Sequence, residues 1–563
     1  MKISLCQINS RVGDFTKNTQ KILDCSLKSV EYDAQIVVFP ELAVSSYPPL
    51  DLLDSKQFIQ KNEQALHGLI ASFNGSLVPK LKEKKQSLFA VVLGAITENT
   101  TKRGKALYNS AVVLEFKNEG FFPIHIQNKR LLPTYDVFDE ARYFEPGVKS
   151  NPWIFGDYKI GLTVCEDVWF GDQYDDDPAE DLKDCDFQIN ISASPFDVTK
   201  DEKRRVQLRR FAEITKSPMI YVNQVGANDE ILFDGRSQVV SETGDELFSL
   251  PQFWEGLSVF DLKSRKDVVS DPQFDPKSFI KDPQELIAKA LTTGIKDYFQ
   301  KTGFKTAVIG LSGGIDSAVV AALASHALGP TNVLGVGLPS QFSSSHSLAD
   351  AEALAKNLGI SFRVAPIKMA FSTTLMELKP LFGQFEQLQS DVTEENMQAR
   401  LRALFLMAIA NKKNSLVLAT SNKSEIAVGY CTIYGDMAGA LAPIGDLYKT
   451  EVYKLAQWIN FNWNGPIPSS SITKPPSAEL KPNQKDQDTL PDYAILDALL
   501  KMYLEQGALE SELLERFDSE LVKNILRIVK SSEYKRRQAP PILKVSPKAF
   551  GIGRRVPIAK ANS

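Results

Sequence analysis

The sequence predicts an α/β protein of two domains: a layered sandwich with mixed sheets, then a parallel-sheet α/β domain. Three observations predict it. The chain has 563 residues, and single hydrophobic cores stop growing at roughly 250–300 residues. In the first half two β-rich runs, residues 88–96 and 108–115, follow one another with no helix between them, so their sheet cannot be purely parallel. After Pro283 short apolar runs alternate with helical stretches, the rhythm of βαβ units.

The first-half strands are expected at residues 3–8, 35–39, 88–96, 108–115, 159–164, 186–191, 219–223 and 237–241. Several are unbroken Val/Ile/Leu/Phe runs, as strands covered on both faces require. From Leu262 to Pro283 the chain turns polar and is punctuated by Asp271-Pro272 and Asp275-Pro276. This predicts a linker over 263–285 between domains at 1–262 and 286–563. The second domain is expected to open with a helix from Pro283 to about Gln300, a strand at 307–311, a glycine turn and a helix at 318–328. Gly329-Pro330 stops that helix, and a strand at 333–337, a helix at 396–410 and a strand at 416–419 follow. The Ser-rich stretch 340–347 reads as a helix N-cap region. The acidic stretch 171–186 reads as a solvated loop with a short helix. The Pro/Ser/Lys-rich stretch 465–490 is long for a connection and is expected to order over a ligand.

Composition narrows the function classes. A net charge of -4 provides no basic footprint for nucleic acid and no cationic face for a membrane surface. The longest apolar runs fall short of the ~18 residues a membrane span needs, and the polar start Met1-Lys2-Ile3-Ser4 is not that of a signal peptide. Five cysteines at irregular spacing argue against a disulfide framework and for a reducing, cytoplasmic setting. With no Cys-x-x-Cys pair and four scattered histidines, a zinc site is not expected.

Three residues beside predicted strand ends carry the first chemistry. Glu41 follows Phe39-Pro40, Lys129 precedes Leu132-Pro133, and Cys165 ends the run Gly161-Leu162-Thr163-Val164. Taken singly, each has an ordinary reading as a turn residue, a solvated lysine and a small core hydrophobe. Together they describe a mechanism: Glu41 takes the thiol proton and later activates water, Cys165 attacks a carboxamide, and Lys129 stabilises the oxyanion. The strings Phe39-Pro40-Glu41-Leu42, Lys129-x-x-Leu132-Pro133-x-Tyr135 and Cys165-Glu166-Asp167-Val168-Trp169 resemble the three signatures of the nitrilase superfamily. That resemblance covers roughly residues 1–260 and implies an αββα sandwich and a Glu-Lys-Cys triad acting on C–N bonds. It also implies that Tyr135, Ser194 and Lys200 contact the amide substrate, with Glu140 as an additional carboxylate.

The second chemistry lies in Gly310-Leu311-Ser312-Gly313-Gly314-Ile315-Asp316-Ser317, between an apolar strand and an alanine-rich helix. Glycines let backbone N–H groups approach an anion, the helix N-terminus favours it, and Asp316 can hold Mg²⁺ on the phosphates. The ordinary alternative is a strand–helix turn capped by Ser and Asp. The loop lacks the Gly-Lys-Ser/Thr of a Walker A motif and resembles the pyrophosphatase loop of enzymes that split ATP to AMP and pyrophosphate. Asn396-Met397-Gln398-Ala399-Arg400, Ala419-Thr420-Ser421-Asn422-Lys423-Ser424-Glu425, Lys449-Thr450, Lys474-Pro475-Pro476-Ser477-Ala478 and Tyr534-Lys535-Arg536-Arg537 continue the likeness. Over about residues 286–555 this series resembles the NAD synthetases and, joined to the nitrilase-type half, the glutamine-dependent branch of that family. The resemblance implies that the loop, Thr420, Lys449 and Ser477 contact ATP. It implies that Asn396, Glu425 and Lys535 contact deamido-NAD, and that Asp316 and Glu425 share Mg²⁺. Glutamine is then the nitrogen donor, and an internal ammonia passage and a homo-oligomer are implied. Ile433 departs from the pattern, since ammonia-using members often carry a lysine there. Two other readings stay open at this point: an amidase joined to a different adenylating synthetase, and a non-catalytic first domain that scaffolds oligomers.

Overall fold

The computed structural model describes residues 1–563 except 102, 172, 271–278, 383–390, 478, 482, 483, 562 and 563. Asp271-Pro272 and Asp275-Pro276 of the expected linker, and Ala478, lie outside the described residues. The chain divides into two units, Met1–Lys281 and Asp282–Ser563.

The strands of the first unit are β1 (Lys2–Gln7), β2 (Ile36–Val38), β3 (Ala90–Glu98), β4 (Leu107–Lys117), β5 (Gly120–Asn128), β6 (Trp153–Phe155), β7 (Tyr158–Val164) and β8 (Phe187–Ser192). They continue with β9 (Met219–Asn223), β10 (Val225–Asn228), β11 (Ile231–Asp234), β12 (Gln238–Val240), β13 (Glu246–Ser249), β14 (Gly256–Asp261) and β15 (Lys266–Ser270). Two sheets form, in the orders β15-β14-β1-β2-β3-β4-β5 and β13-β12-β9-β8-β7-β6, and β10 pairs with β11 apart from them. Parallel pairs β1/β2, β2/β3, β7/β8 and β8/β9 are mixed with antiparallel ones. Alternate side chains of the two sheets meet in one core: Ile3, Leu5, Val38 and Val92 from one, Leu162, Val164, Ile189 and Val222 from the other. The intervening side chains of β1 turn away from this core, where Ser4 accepts a hydrogen bond from Ser29 of α1 (Phe15–Glu31). Helix α1 packs on α2 (Lys56–Glu83), and α3 (Lys200–Thr215) packs on the second sheet. The layers are therefore α, β, β, α, as expected.

Two elements differ from the sequence reading. β5 was not expected because its apolar residues alternate outward: Phe122, Ile124 and Ile126 are exposed, while Phe121 is buried. As an edge strand it also tolerates Pro123, which lacks a ladder donor. The expected linker does not begin at 263. Lys266–Ser270 pairs antiparallel with β14, Val259 against Val269, and the polar residues before it make the hairpin turn. There Asp261 accepts hydrogen bonds from the Lys263 and Ser264 amides and Arg265 takes a left-handed φ of 55°. Residues 263–265 thus make a turn, and the division between the two units, after Lys281, falls later within the expected 263–285.

The second unit opens with α4 (Pro283–Thr302), whose N-cap Asp282 accepts from the Gln284 amide and whose C-cap is Gly303. Its sheet comprises β16 (Ala307–Gly310), β17 (Val333–Gly337), β18 (Ser361–Val364) and β19 (Leu416–Val417), all parallel, in the order β18-β17-β16-β19. The connecting helices are α5 (Ile315–Leu328), α6 (Ser345–Leu358), α7 (Lys368–Phe382) and α8 (Val392–Lys413). The chain then adds α9 (Lys423–Val428), α10 (Lys449–Asn462), α11 (Ser469–Thr473) and α12 (Tyr493–Leu504). From β16 the chain steps outward through β17 to β18 and returns to place β19 on the other side of β16. The carboxyl end of β16 is thus a switch point, where open parallel sheets leave a crevice. Among the described residues no helix is long and apolar enough to cross a membrane.

Two candidate active sites

In the first unit, Glu41, Lys129 and Cys165 converge from the ends of β2, β5 and β7, and all three are buried. Lys129 Nζ lies 2.8 Å from Glu41 Oε1 and 2.7 Å from Glu140 Oε1. Glu41 Oε1 also accepts from Asn109 Nδ2 at 2.6 Å, and its Oε2 accepts from the Ala193 amide at 2.9 Å. Tyr47 donates to Glu140 at 3.0 Å.

Local structure explains the convergence. Gly94 on β3 lets the Glu41 backbone pass: a Cβ there would stand 2.0 Å from the Leu42 amide nitrogen. Asp167, two residues after Cys165, accepts from the amides of Val164, Arg130 and Leu131, tying the Lys129 loop to the end of β7. Cys165 itself holds a left-handed φ of 42°. That costs a non-glycine residue on the order of 1–2 kcal/mol, and these ties sustain it.

Charge is balanced tightly. Burial works against the Lys129 ammonium, but Glu140 and Glu41 outweigh it and hold its pKa well above the usual range. Burial pushes Glu140 up to about 7. Burial and then the Glu41 charge raise the Cys165 thiol, while Lys129 pulls it down. The arrangement provides a nucleophile, an acceptor for its proton and a fixed cation, with no histidine involved.

The expected substrate-contacting residues lie around this cluster. Tyr135 is partly exposed and its hydroxyl donates to Glu166 at 2.8 Å. Lys200 places Nζ 3.9 Å from the centre of the Trp169 ring, and burial lowers its pKa. Ser194 is buried, its amide held by Asn223 Oδ1 at 2.9 Å. The acidic stretch 171–186 holds the expected short helix, Glu180–Leu182, and keeps Asp175, Asp184 and Asp186 exposed, but it is not wholly solvated. Arg130 pairs with Asp176 and with Asp181, Tyr174 donates to Glu166 at 2.9 Å, and Ala179 and Leu182 are buried. Counting acidic residues missed the buried guanidinium they serve.

In the second unit the crevice beyond β16 is a cavity of about 290 Å³. Gly310, Leu311, Ser312, Gly314, Ile315, Asp316 and Ser317 line it, with Thr420, Glu425, Lys449 and Ser477. Gly313 shapes it: φ is 76°, and a Cβ would meet the Ser347 carbonyl oxygen at 2.2 Å. Ser317 Oγ donates to the Gly314 carbonyl at 3.0 Å, and the start of α5 faces the cavity. Asp316 and Glu425 flank the Lys449 ammonium, at 2.5 and 3.2 Å, and Asn422 Nδ2 donates to Asp316 at 3.0 Å. Burial pushes Glu425 up to about 8. Burial opposes the Lys449 charge, but Asp316 and Glu425 outweigh it and raise its pKa. Ser344 is the N-cap of α6, as expected, and Ser347 Oγ donates to Glu479 at 2.7 Å.

Asn396 and Lys535 are not among the residues lining this cavity. They brace the turn after α9: Thr432 Oγ1 donates to Asn396 Oδ1 at 2.7 Å, and Lys535 Nζ donates to the Gly429 and Cys431 carbonyls. Ile433 in this turn is half-buried, and its carbonyl accepts from Arg400 at 3.2 Å. Among the described residues no group of three or more His, Cys, Asp or Glu side chains gathers as a metal site. The Asp316/Glu425 pair still suits Mg²⁺, which takes one or two carboxylates and completes its shell with phosphate and water. In this structure the Lys449 ammonium bridges the two carboxylates.

The carbon–nitrogen hydrolase family model matches residues 2–267, and the NAD synthase model residues 287–539. A glutamine-dependent NAD(+) synthetase of Synechocystis sp. is 42% identical over 577 residues, covering 99% of this chain and 98% of its own. One from Thermotoga maritima is 37% identical over 599 residues, with 99% and 98% covered. The structure of glutamine-dependent NAD+ synthetase from Acinetobacter baumannii in complex with ADP is similar at a TM-score of 0.73 and 32% identity, covering 99% of this chain and 98% of that one. The chain belongs to the glutamine-dependent NAD(+) synthetases, enzymes that join a carbon–nitrogen hydrolase domain to an NAD synthase domain.

Proposed function

We propose that the Glu41–Lys129–Cys165 cluster is the glutaminase centre of this synthetase and that the cavity above loop 310–317 is its ATP site. The observation that carries the first assignment is the burial of a paired carboxylate and ammonium whose charges both act on one buried cysteine. Glu41 removes the thiol proton, and sulfur attacks the glutamine carboxamide carbon. Lys129 stabilises the oxyanion, Glu41 passes the thiol proton to the departing nitrogen so that ammonia leaves as the thioester forms, and the regenerated Glu41 carboxylate then activates the water that frees glutamate. Tyr135, Ser194 and Lys200 hold the glutamine.

In the second unit the loop amides and the start of α5 receive the phosphates of ATP, with Thr420, Lys449 and Ser477 along the nucleotide. The solved ADP complex of the Acinetobacter baumannii relative supports adenine-nucleotide binding by this chain. Asp316 and Glu425 would hold Mg²⁺, which would supply neutralisation of phosphate charge. The nicotinic acid carboxylate of deamido-NAD is adenylated, and ammonia displaces AMP. Asn396, Glu425 and Lys535 serve the dinucleotide; for Asn396 and Lys535 the support is indirect, through the turn they brace. Ammonia in water at neutral pH is mostly ammonium and not nucleophilic, so making it from glutamine preserves its reactive form. The protein works in the cytoplasm as a homo-oligomer.

Two variants test the division of labour. Cys165→Ala is expected to abolish glutamine-driven NAD formation and spare formation from added ammonium; surviving glutamine use would refute the triad. Asp316→Ala is expected to impair both nitrogen sources, and normal ammonium-driven rates would refute its metal role.

A further inference from the structure

Asn109 is a fully buried residue of β4. Its Nδ2 donates to Glu41 Oε1 at 2.6 Å and reaches Glu140 Oε2 at 3.4 Å. Its own Oδ1 is buried without a hydrogen-bond partner. Turning the amide over would set that oxygen against two carboxylates, so their charge fixes its orientation. An orphaned buried acceptor is costly, and a costly polar group beside a reacting centre calls for an explanation.

Counting lone pairs supplies one. Each carboxylate oxygen offers about two acceptor positions. On Glu41, Oε1 accepts from Lys129 Nζ and Asn109 Nδ2, while Oε2 accepts from the Ala193 amide alone. One acceptor position is therefore open, and it is on Oε2.

We propose that Asn109 is a positioning residue of the glutaminase centre: with Lys129 it saturates Glu41 Oε1 and leaves Oε2 as the atom that takes the Cys165 proton. The inference rests on the triad reading above. In the step, the S–H bond of Cys165 breaks and an O–H bond to Oε2 forms; sulfur keeps the electron pair and attacks the carboxamide carbon. Asn109 acts through Glu41 and touches no reacting atom. The charged and titratable groups that act on Glu41 are Lys129 and Glu140 from the stretch after β5, Cys165 from the end of β7, and Tyr47 from the stretch after β2.

The test uses the full-length protein with Asn109→Leu and Asn109→Gln. Three readouts are taken: kcat and KM for glutamine across pH, ammonium-driven NAD formation, and the rate at which iodoacetamide alkylates Cys165. The expected result for N109L is a fall in glutamine-driven kcat of about 10- to 100-fold with KM for glutamine within about 2-fold. Loss of a donor to a carboxylate disfavours its charged form. The acid limb of kcat/KM, and that of Cys165 alkylation, therefore move to higher pH, and N109Q restores part of both. Ammonium-driven formation stays within about 2-fold, because the second site is chemically separate.

Unmoved acid limbs in both variants, or an equal loss with glutamine and ammonium, would overturn the proposal. If N109L does not fold, the profile of N109Q alone decides. Cys165→Ala separates the layers: glutamine use surviving there sinks the triad, whereas its loss there together with unaltered N109L and N109Q sinks only the role of Asn109.

Discussion

Lys449 Nζ lies 2.5 Å from Asp316 Oδ2, joining the first residue of α10 to the second residue of α5. The same ammonium reaches Glu425 on α9. Removing one partner of a buried ionic group leaves the others uncompensated, at about 3–5 kcal/mol. Lys449→Met is expected to cut NAD formation from either nitrogen source by about 100-fold or more, and to leave glutamine hydrolysis by the first unit detectable. Coupled assays for NAD and glutamate on the same preparation check this; full synthetase activity in the variant would contradict it.

Two glycines serve as steric gates, one for each site. Gly94→Ala drives a Cβ into the Leu42 and Glu41 backbone, and Gly313→Ala drives one into the Ser347 carbonyl at a φ that also disfavours alanine. Each backbone clash costs about 1–3 kcal/mol or more. The first is expected to remove glutamine use and spare ammonium use, the second to impair both. A steady-state comparison with the two nitrogen sources reads the difference directly.

Arg130 holds the acidic stretch that carries Tyr174 to Glu166. Asp176 and Asp181 are partly exposed, so Arg130→Leu leaves them solvated, and the stability loss is modest, about 1–2 kcal/mol. The larger effect is expected in KM for glutamine, with kcat and ammonium-driven synthesis nearly unchanged. A lowered kcat at constant KM would place Arg130 in a different role.

Burial pushes Glu140 up to about 7, above the 4.5 of an ordinary glutamate. Between these values the folded protein holds a proton that the unfolded chain releases. The contribution is therefore fully present below about 4.5 and is lost as pH rises through about 7. Glu140→Gln removes the titration, so the variant should gain stability relative to the parent as pH rises from 5 to 8, by on the order of 2 kcal/mol. Thermal melts of both proteins across that range check the sign.

Much of this was legible in residue types and order. Glu41, Lys129 and Cys165 could be named because a cysteine, a carboxylate and an amine, each beside a strand end, together describe one reaction. The 310–317 loop could be named because glycines, serines and an aspartate sat between a strand and a helix. Gly94 and Asn109 could not be singled out. Each acts on a partner dozens of residues away, and nothing local distinguishes them from an ordinary strand glycine or a strand asparagine.

The sequence by itself determined the two α/β halves and the alternation that sends Ile3 and Leu5 to one face of β1 and Ser4 to the other. Those follow from local preference and periodicity, which a chain carries wherever it folds; the chemistry expected of each half came instead from residue types in sequence motifs and from their resemblance to known families. Only the tertiary structure decided which lone pair of Glu41 stays open, that Lys449 stands between Asp316 and Glu425, and that Arg130 turns an acidic stretch into part of a site. These depend on distances between residues far apart in the chain, set by sheet order and by burial that makes an unpaired charge too costly to leave alone.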